Sequence, residues 1–106
     1  MNGDIMPVDK MGWILVVDSS DYAVKYKIVN SIVYVYMKAK RASAVPSSDW
    51  GTMATLPITP DVPIYICPYY YNSYYTNYCI DLNGKVQVIG NAYTGVAAVL
   101  SFPLPS

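Results

Sequence analysis

Apolar and polar residues alternate between Tyr22 and Val29: Tyr22, Val24, Tyr26 and Ile28 fall on one face, Lys25 and Lys27 on the other. A period of two is that of a β-strand with one face packed and one solvated. Asn30 and Ser31 supply a turn. Ile32-Val33-Tyr34-Val35-Tyr36-Met37 comes next, apolar on both faces until Lys38, Lys40 and Arg41 end the run. A strand of that kind is either central in a sandwich or pressed against another subunit. Trp13 to Val17 reads as an earlier strand.

Beyond Arg41 the pattern shortens. Ala42 to Trp50 is a Ser-rich loop, and Gly51 to Leu56 a short strand or extended arm stopped by Pro57. Pro57, Pro60 and Pro63 keep the next stretch extended and outside any central strand. Ile64 to Cys67 reads as a short strand ended by Pro68. The run from Tyr69 to Tyr78, with Tyr at all but four positions, has no usable period, and its middle reads as a loop. At Asn83-Gly84 a two-residue turn would mix polar and apolar residues on both faces. A three-residue turn, Leu82-Asn83-Gly84 with Gly84 left-handed in a bulge, instead pairs Asp81 with Lys85, Ile80 with Val86, Cys79 with Gln87 and Tyr78 with Val88. After a turn over Gly90 to Gly95, Val96 to Phe102 is the last strand. Seven or eight short strands without helical periodicity predict an all-β fold, an antiparallel, jelly-roll-like β-sandwich. Residues 1–11 read as an N-terminal extension and 12–106 as the domain.

Composition narrows the chemistry. The chain has 106 residues, 54% of them hydrophobic and only 13% charged, against about 25% charged in an average soluble domain. A chain this short buries only roughly 60 to 65% of its unfolded surface, so the excess of apolar surface implies cover by a partner. There is no His, so there is no imidazole base or His-based metal site. There is no Glu either, and a carboxylate pair would have to come from scattered Asp residues such as Asp49, Asp61 and Asp81. Net charge is zero, which argues against nucleic-acid binding. Met1 to Lys10 lacks the apolar core of a signal peptide, and no apolar run is long enough for a membrane helix. No cofactor or metal is expected. Cys67 and Cys79 are either free thiols or partners across a hairpin.

The order of three motifs is informative: Tyr26-Lys27-Ile28-Val29-Asn30-Ser31-Ile32-Val33-Tyr34-Val35, then Trp50-Gly51-Thr52-Met53-Ala54-Thr55-Leu56-Pro57-Ile58-Thr59-Pro60, then Ile80-Asp81-Leu82-Asn83-Gly84-Lys85-Val86-Gln87-Val88, before a terminal Leu100-Ser101-Phe102-Pro103. From about Gly12 to Leu104 this resembles the C-terminal head domains of receptor-binding, tail-fibre or baseplate proteins of phages and prophages of Gram-positive bacteria. The resemblance implies a homotrimeric β-sandwich head. It also implies a place on the virion tail beside other tail proteins, and non-catalytic attachment to host cell-wall polysaccharide or teichoic acid. The chain would then be one domain of a longer fibre, or a small open reading frame. Ser31 departs from the family pattern, which often has Gly there, and the Tyr-rich segment is unusually aromatic.

No binding residue transfers by motif, so the candidates come from side-chain chemistry. A Tyr ring stacks on the apolar face of a pyranose while its hydroxyl reaches sugar oxygens. Tyr69, Tyr70, Tyr71, Tyr74 and Tyr75, with Asn72 and Asn77, are therefore the candidate ligand surface, with Tyr78 beside them and Trp50 as a further platform. The competing reading puts these rings in the core, with Trp50 as a plug, or packs them against another tail component in a purely structural module. Asp18, Asp21, Asp49 and Asp61 read as solvated turn formers. Lys38, Lys40 and Arg41 are either a solvated strand end or a phosphate contact.

Overall fold

The computed structural model describes residues 12–105, so the expected extension over residues 1–11 lies outside the described residues. Eight strands run in order: β1 Ile14–Asp18, β2 Tyr22–Val29, β3 Ile32–Ala39, β4 Gly51–Thr55, β5 Ile64–Tyr71, β6 Tyr74–Ile80, β7 Lys85–Gly90 and β8 Ala97–Pro103. They form two antiparallel four-stranded sheets, β1-β2-β3-β8 and β4-β7-β6-β5. The all-β sandwich expected from the alternation is the fold observed. In the second sheet three hairpin-linked strands, β5 to β7, are joined by β4 from across the sheet, a Greek key of the kind that jelly rolls also contain. The link from β4 to β5 therefore runs from one sheet edge to the other. Pro57, Pro60 and Pro63 hold it extended and cannot donate to a ladder.

The core lies between the sheets. Val24 and Tyr26 of β2, Val33, Val35 and Met37 of β3, and Leu100 and Phe102 of β8 meet Tyr78 and Ile80 of β6 and Val86 and Val88 of β7. Each set recurs at every second position, as the pleat requires. The Tyr78 side chain is fully buried, and its hydroxyl ties the two sheets together. It accepts from the Ala39 amide at 2.9 Å and donates to the Val96 carbonyl at 2.7 Å. Burial of the ring pushes the Tyr78 phenol up from its ordinary pKa.

β3 is central in its sheet, and its outer face is apolar for a visible reason. Trp13 stands edge-on to Tyr36, their centroids 6.5 Å apart. The ammonium of Lys25 lies 5.0 Å from the Tyr36 ring centre and that of Lys27 4.7 Å from the Trp13 ring centre. The ammonium heads thus lie over the ring faces, which attract a cation, and so put charge on apolar surface.

The bulged turn over Leu82-Asn83-Gly84 is present, with Ile80, Cys79 and Tyr78 paired to Val86, Gln87 and Val88. Gly84 has φ +80°, and a Cβ there would meet the Leu56 carbonyl at 3.0 Å. The Asp81 carboxylate accepts from the amides of Asn83 and Lys85, closing the turn with a side chain.

Several expectations need correction. β5 does not stop at Pro68 but absorbs it in a bulge between Ile66 and Tyr69 and continues to Tyr71. At the edge of the sheet its missing amide N–H costs no ladder bond. The Tyr-rich run is accordingly a hairpin and not a loop, with Tyr71 opposite Tyr74 and Tyr70 opposite Tyr75. Only Asn72 and Ser73 form its turn, both with positive φ. Asp18 and Asp21 are not merely solvated: Lys40 pairs with Asp18 and Arg41 with Asp21, closing one end of the first sheet.

Candidate functional site

The candidate residues fall into two neighbouring groups on the second sheet. The first is the β5–β6 hairpin end. Tyr70, Tyr71 and Tyr74 are exposed, Tyr70 at 69% of its full surface, while Tyr69 and Tyr75 are half-buried. Tyr78, in the same run, is core. Asn72 is exposed but serves the turn, holding φ +55°.

The hairpin end is held by the segment after β7. The Tyr75 amide donates to Asn91 Oδ1 at 2.8 Å, and Asn91 Nδ2 donates to the Ser73 carbonyl at 2.9 Å. The Asn91 amide donates to the Tyr75 carbonyl at 3.1 Å. The Asn91 side chain thereby continues the ladder where β7 has ended. Thr76, buried one residue further in, donates its hydroxyl to the Ala92 carbonyl at 2.7 Å. Close approach requires Gly90, because a Cβ there would sit 2.4 Å from the Tyr75 carbonyl oxygen. Sequence reading did not single out Asn91, and its only prior signal was its place directly after a glycine.

The second group is a cleft on the outer face of the same sheet. Gly51 pairs with Val88 and Asn77 with Ile89, so Trp50, Ile89 and Asn77 stand in one row across the strands. The half-buried Trp50 reaches over that row to Tyr65, ring centroids 6.0 Å apart and planes tilted by 54°. Trp50 is therefore neither a core plug nor a fully exposed platform. With Ile66, Cys67 and Asn77 these two rings line an open cleft of about 140 Å³. Asn77 Oδ1 is buried there with no hydrogen-bond partner among the described residues. Tyr65, which sequence reading passed over, is 64% exposed on a face otherwise readable from strand parity.

Both cysteines border this face and both are free. Cys79 is opposite Tyr65 and not Cys67, and diagonal neighbours in a sheet stand about 7–8 Å apart, too far for an unstrained bridge. The expected alternative of a disulfide therefore gives way to two thiols. The Cys67 thiol donates to the Tyr69 carbonyl at 3.3 Å and the Cys79 thiol to Gln87 Oε1 at 3.4 Å. Burial, with the Asp81 carboxylate as a smaller contribution, pushes the Cys79 thiol up to about 11, so it stays protonated at neutral pH.

Among the described residues no group of three or more carboxylates and thiols gathers in a metal-holding arrangement. Asp81, one of the three Asp considered for catalysis, has its carboxylate engaged by turn amides. No helix of the described residues is long and apolar enough to cross a membrane. No protein-family model matches the chain, and comparison with curated proteins and with solved structures returns no match.

Proposed function

We propose that the chain is a non-catalytic attachment module of a phage or prophage tail, binding host cell-wall saccharide as a homotrimer. The observation that carries this reading is the exposed aromatic hairpin, whose Tyr70, Tyr71 and Tyr74 rings are held outward on a strand ladder pinned by Asn91. Rings on a fixed backbone lose little entropy when they stack on a sugar, and Tyr hydroxyls supply the polar contacts. The order of the three sequence motifs supports the tail-head assignment, and the absence of His and Glu supports a binding role without catalysis.

Trimer formation is supported by the sheet edges. Soluble sandwiches usually guard edge strands with charge. Of the four edge strands here only β1 carries a charged residue, Asp18, while β5 and β8, which face each other on one side of the sandwich, carry none. Light scattering at two concentrations a hundredfold apart should give a trimer mass at both. A monomer at both would remove the trimer.

The direct test is attachment. Tyr70→Ala or Tyr74→Ala should abolish or strongly reduce binding to host cells while folding stability moves by less than about 1 kcal/mol. Full attachment by both variants would sink the hairpin as the binding surface. In the second reading the same exposed rings pack against another tail component without binding glycan, and the variants would then lose assembly into the tail while isolated cell-wall polymer never binds the intact chain.

A further inference from the structure

The cleft between Trp50 and Tyr65 specifies its occupant more narrowly than the hairpin does. Four properties act together. Its walls are the aromatic rings of Trp50 and Tyr65. None of its lining residues is charged, so neither a phosphate nor an ammonium finds a counter-ion, and desolvating either against these walls is unfavourable. Its one buried polar atom without a partner is an acceptor, Asn77 Oδ1. The Cys67 thiol in the lining is turned away to the Tyr69 carbonyl. A buried acceptor without a donor is costly, and a ligand N–H or O–H would remove that cost. Finally, about 140 Å³ is ample for one small substituent, and the open mouth leaves room for the ring that carries it.

A neutral group with one donor, one small apolar end and four heavy atoms meets all four conditions. We propose that this cleft is a subsite for the acetamido group of an N-acetylated sugar, its N–H donated to Asn77 Oδ1 and its methyl held between Trp50 and Tyr65. The inference rests on the saccharide reading above and selects within it. A chain of N-acetylhexosamine units would be taken here, whereas bare glycerol- or ribitol-phosphate would not.

The test uses the full chain carrying Trp13→Phe, which leaves Trp50 as its only indole. N-acetylglucosamine should change Trp50 emission saturably in the millimolar range. Glucose and glucosamine should need at least tenfold higher concentrations, and inorganic phosphate should give no response. Saturation-transfer NMR on the unaltered chain should place the strongest signal on the acetamido methyl protons, an outcome that does not depend on any variant folding. Asn77→Leu should lose the N-acetylglucosamine response. The subsite is overturned by equal responses to glucose and N-acetylglucosamine, by a phosphate response, by no response to any sugar, or by methyl protons no more saturated than ring protons. Attachment to host cells separates the two proposals. Intact attachment without a Trp50 response overturns the subsite and leaves the attachment reading in place. A Trp50 response without attachment does the reverse.

Discussion

The β2–β3 and β5–β6 hairpins turn on the same two residues. Asn30-Ser31 and Asn72-Ser73 both take positive φ, 51° and 65° in the first pair and 55° and 69° in the second, as a type I′ turn requires. There the likeness stops. β2 and β3 are the two central strands of their sheet, flanked by β1 and β8, and their inward residues Val24, Tyr26, Val33, Val35 and Met37 are all core. β5 is an edge strand, and at its turn end the second hairpin is held by Asn91, through both its side chain and its backbone amide, while Tyr70, Tyr71 and Tyr74 face solvent. Identical turn chemistry thus closes a structural hairpin and a presented one. The strands that flank each hairpin, and not its turn, decide between the two.

The sharpest way to break this contrast is inside the second hairpin, where Tyr78 and Tyr70 share a strand pair but not an environment. Tyr78→Ala removes a fully buried ring and both inter-sheet hydrogen bonds, and should cost at least about 3–5 kcal/mol in a denaturant melt. Tyr70→Ala should cost less than about 1 kcal/mol. Equal losses would mean that the exposed rings are covered in the native assembly. Tyr78→Phe separates ring from hydroxyl: it leaves the Ala39 amide and Val96 carbonyl without their partner, for a loss of about 1–3 kcal/mol.

Gly90→Ala addresses the pinning of the hairpin. The added methyl must displace the Tyr75 carbonyl, an overpacking penalty of about 1–3 kcal/mol. Hydrogen exchange should locate the damage at the Tyr75 and Thr76 amides, with β2 and β3 little changed. Damage spread evenly over both sheets would show that the hairpin end and the core unfold as one unit.

The contrast also explains which parts of the molecule are legible in its sequence. The first hairpin is legible because Lys25 and Lys27 interrupt the apolar residues at a period of two, with Asn30-Ser31 marking the turn. The turn at Gly84 is legible because only one register puts Ile80 against Val86. The second hairpin is hidden because a run of Tyr is neither polar nor apolar enough to show a period, and Pro68 looks like a terminator until its edge position makes it harmless. For the site, the aromatic candidates are visible by chemistry alone. Their division depends on where along the strands the sandwich ends: Tyr74 and Tyr78 share one parity on β6, but only Tyr78 lies in the core, and in β5 the bulge shifts Tyr70 and Tyr71 out of register with the cleft ring Tyr65. The pairing of Trp50 with Tyr65 depends on the order β4-β7-β6-β5, which joins residues from opposite edges of the sheet.

The smallest expected effect tests the comparison most directly, because it makes the same change in both turns. A left-handed residue other than Gly costs roughly 1–2 kcal/mol, part of which Gly gives back through the freedom it adds to the unfolded chain. Ser31→Gly and Ser73→Gly should therefore each raise folding stability by about 0.5–1 kcal/mol. The turns differ in which amides feel it. In the central hairpin the Ile32 amide is expected to exchange only through global unfolding, so Ser31→Gly should raise its protection in step with the denaturant midpoint. At the presented hairpin the Tyr74 amide should exchange through local opening at a lower free energy, and Ser73→Gly should raise that local value by the same increment while it stays below the global one. If the Ile32 and Tyr74 amides of the unaltered chain exchange with one common free energy, the second hairpin is as much a part of the core as the first, and its rings need a buried role.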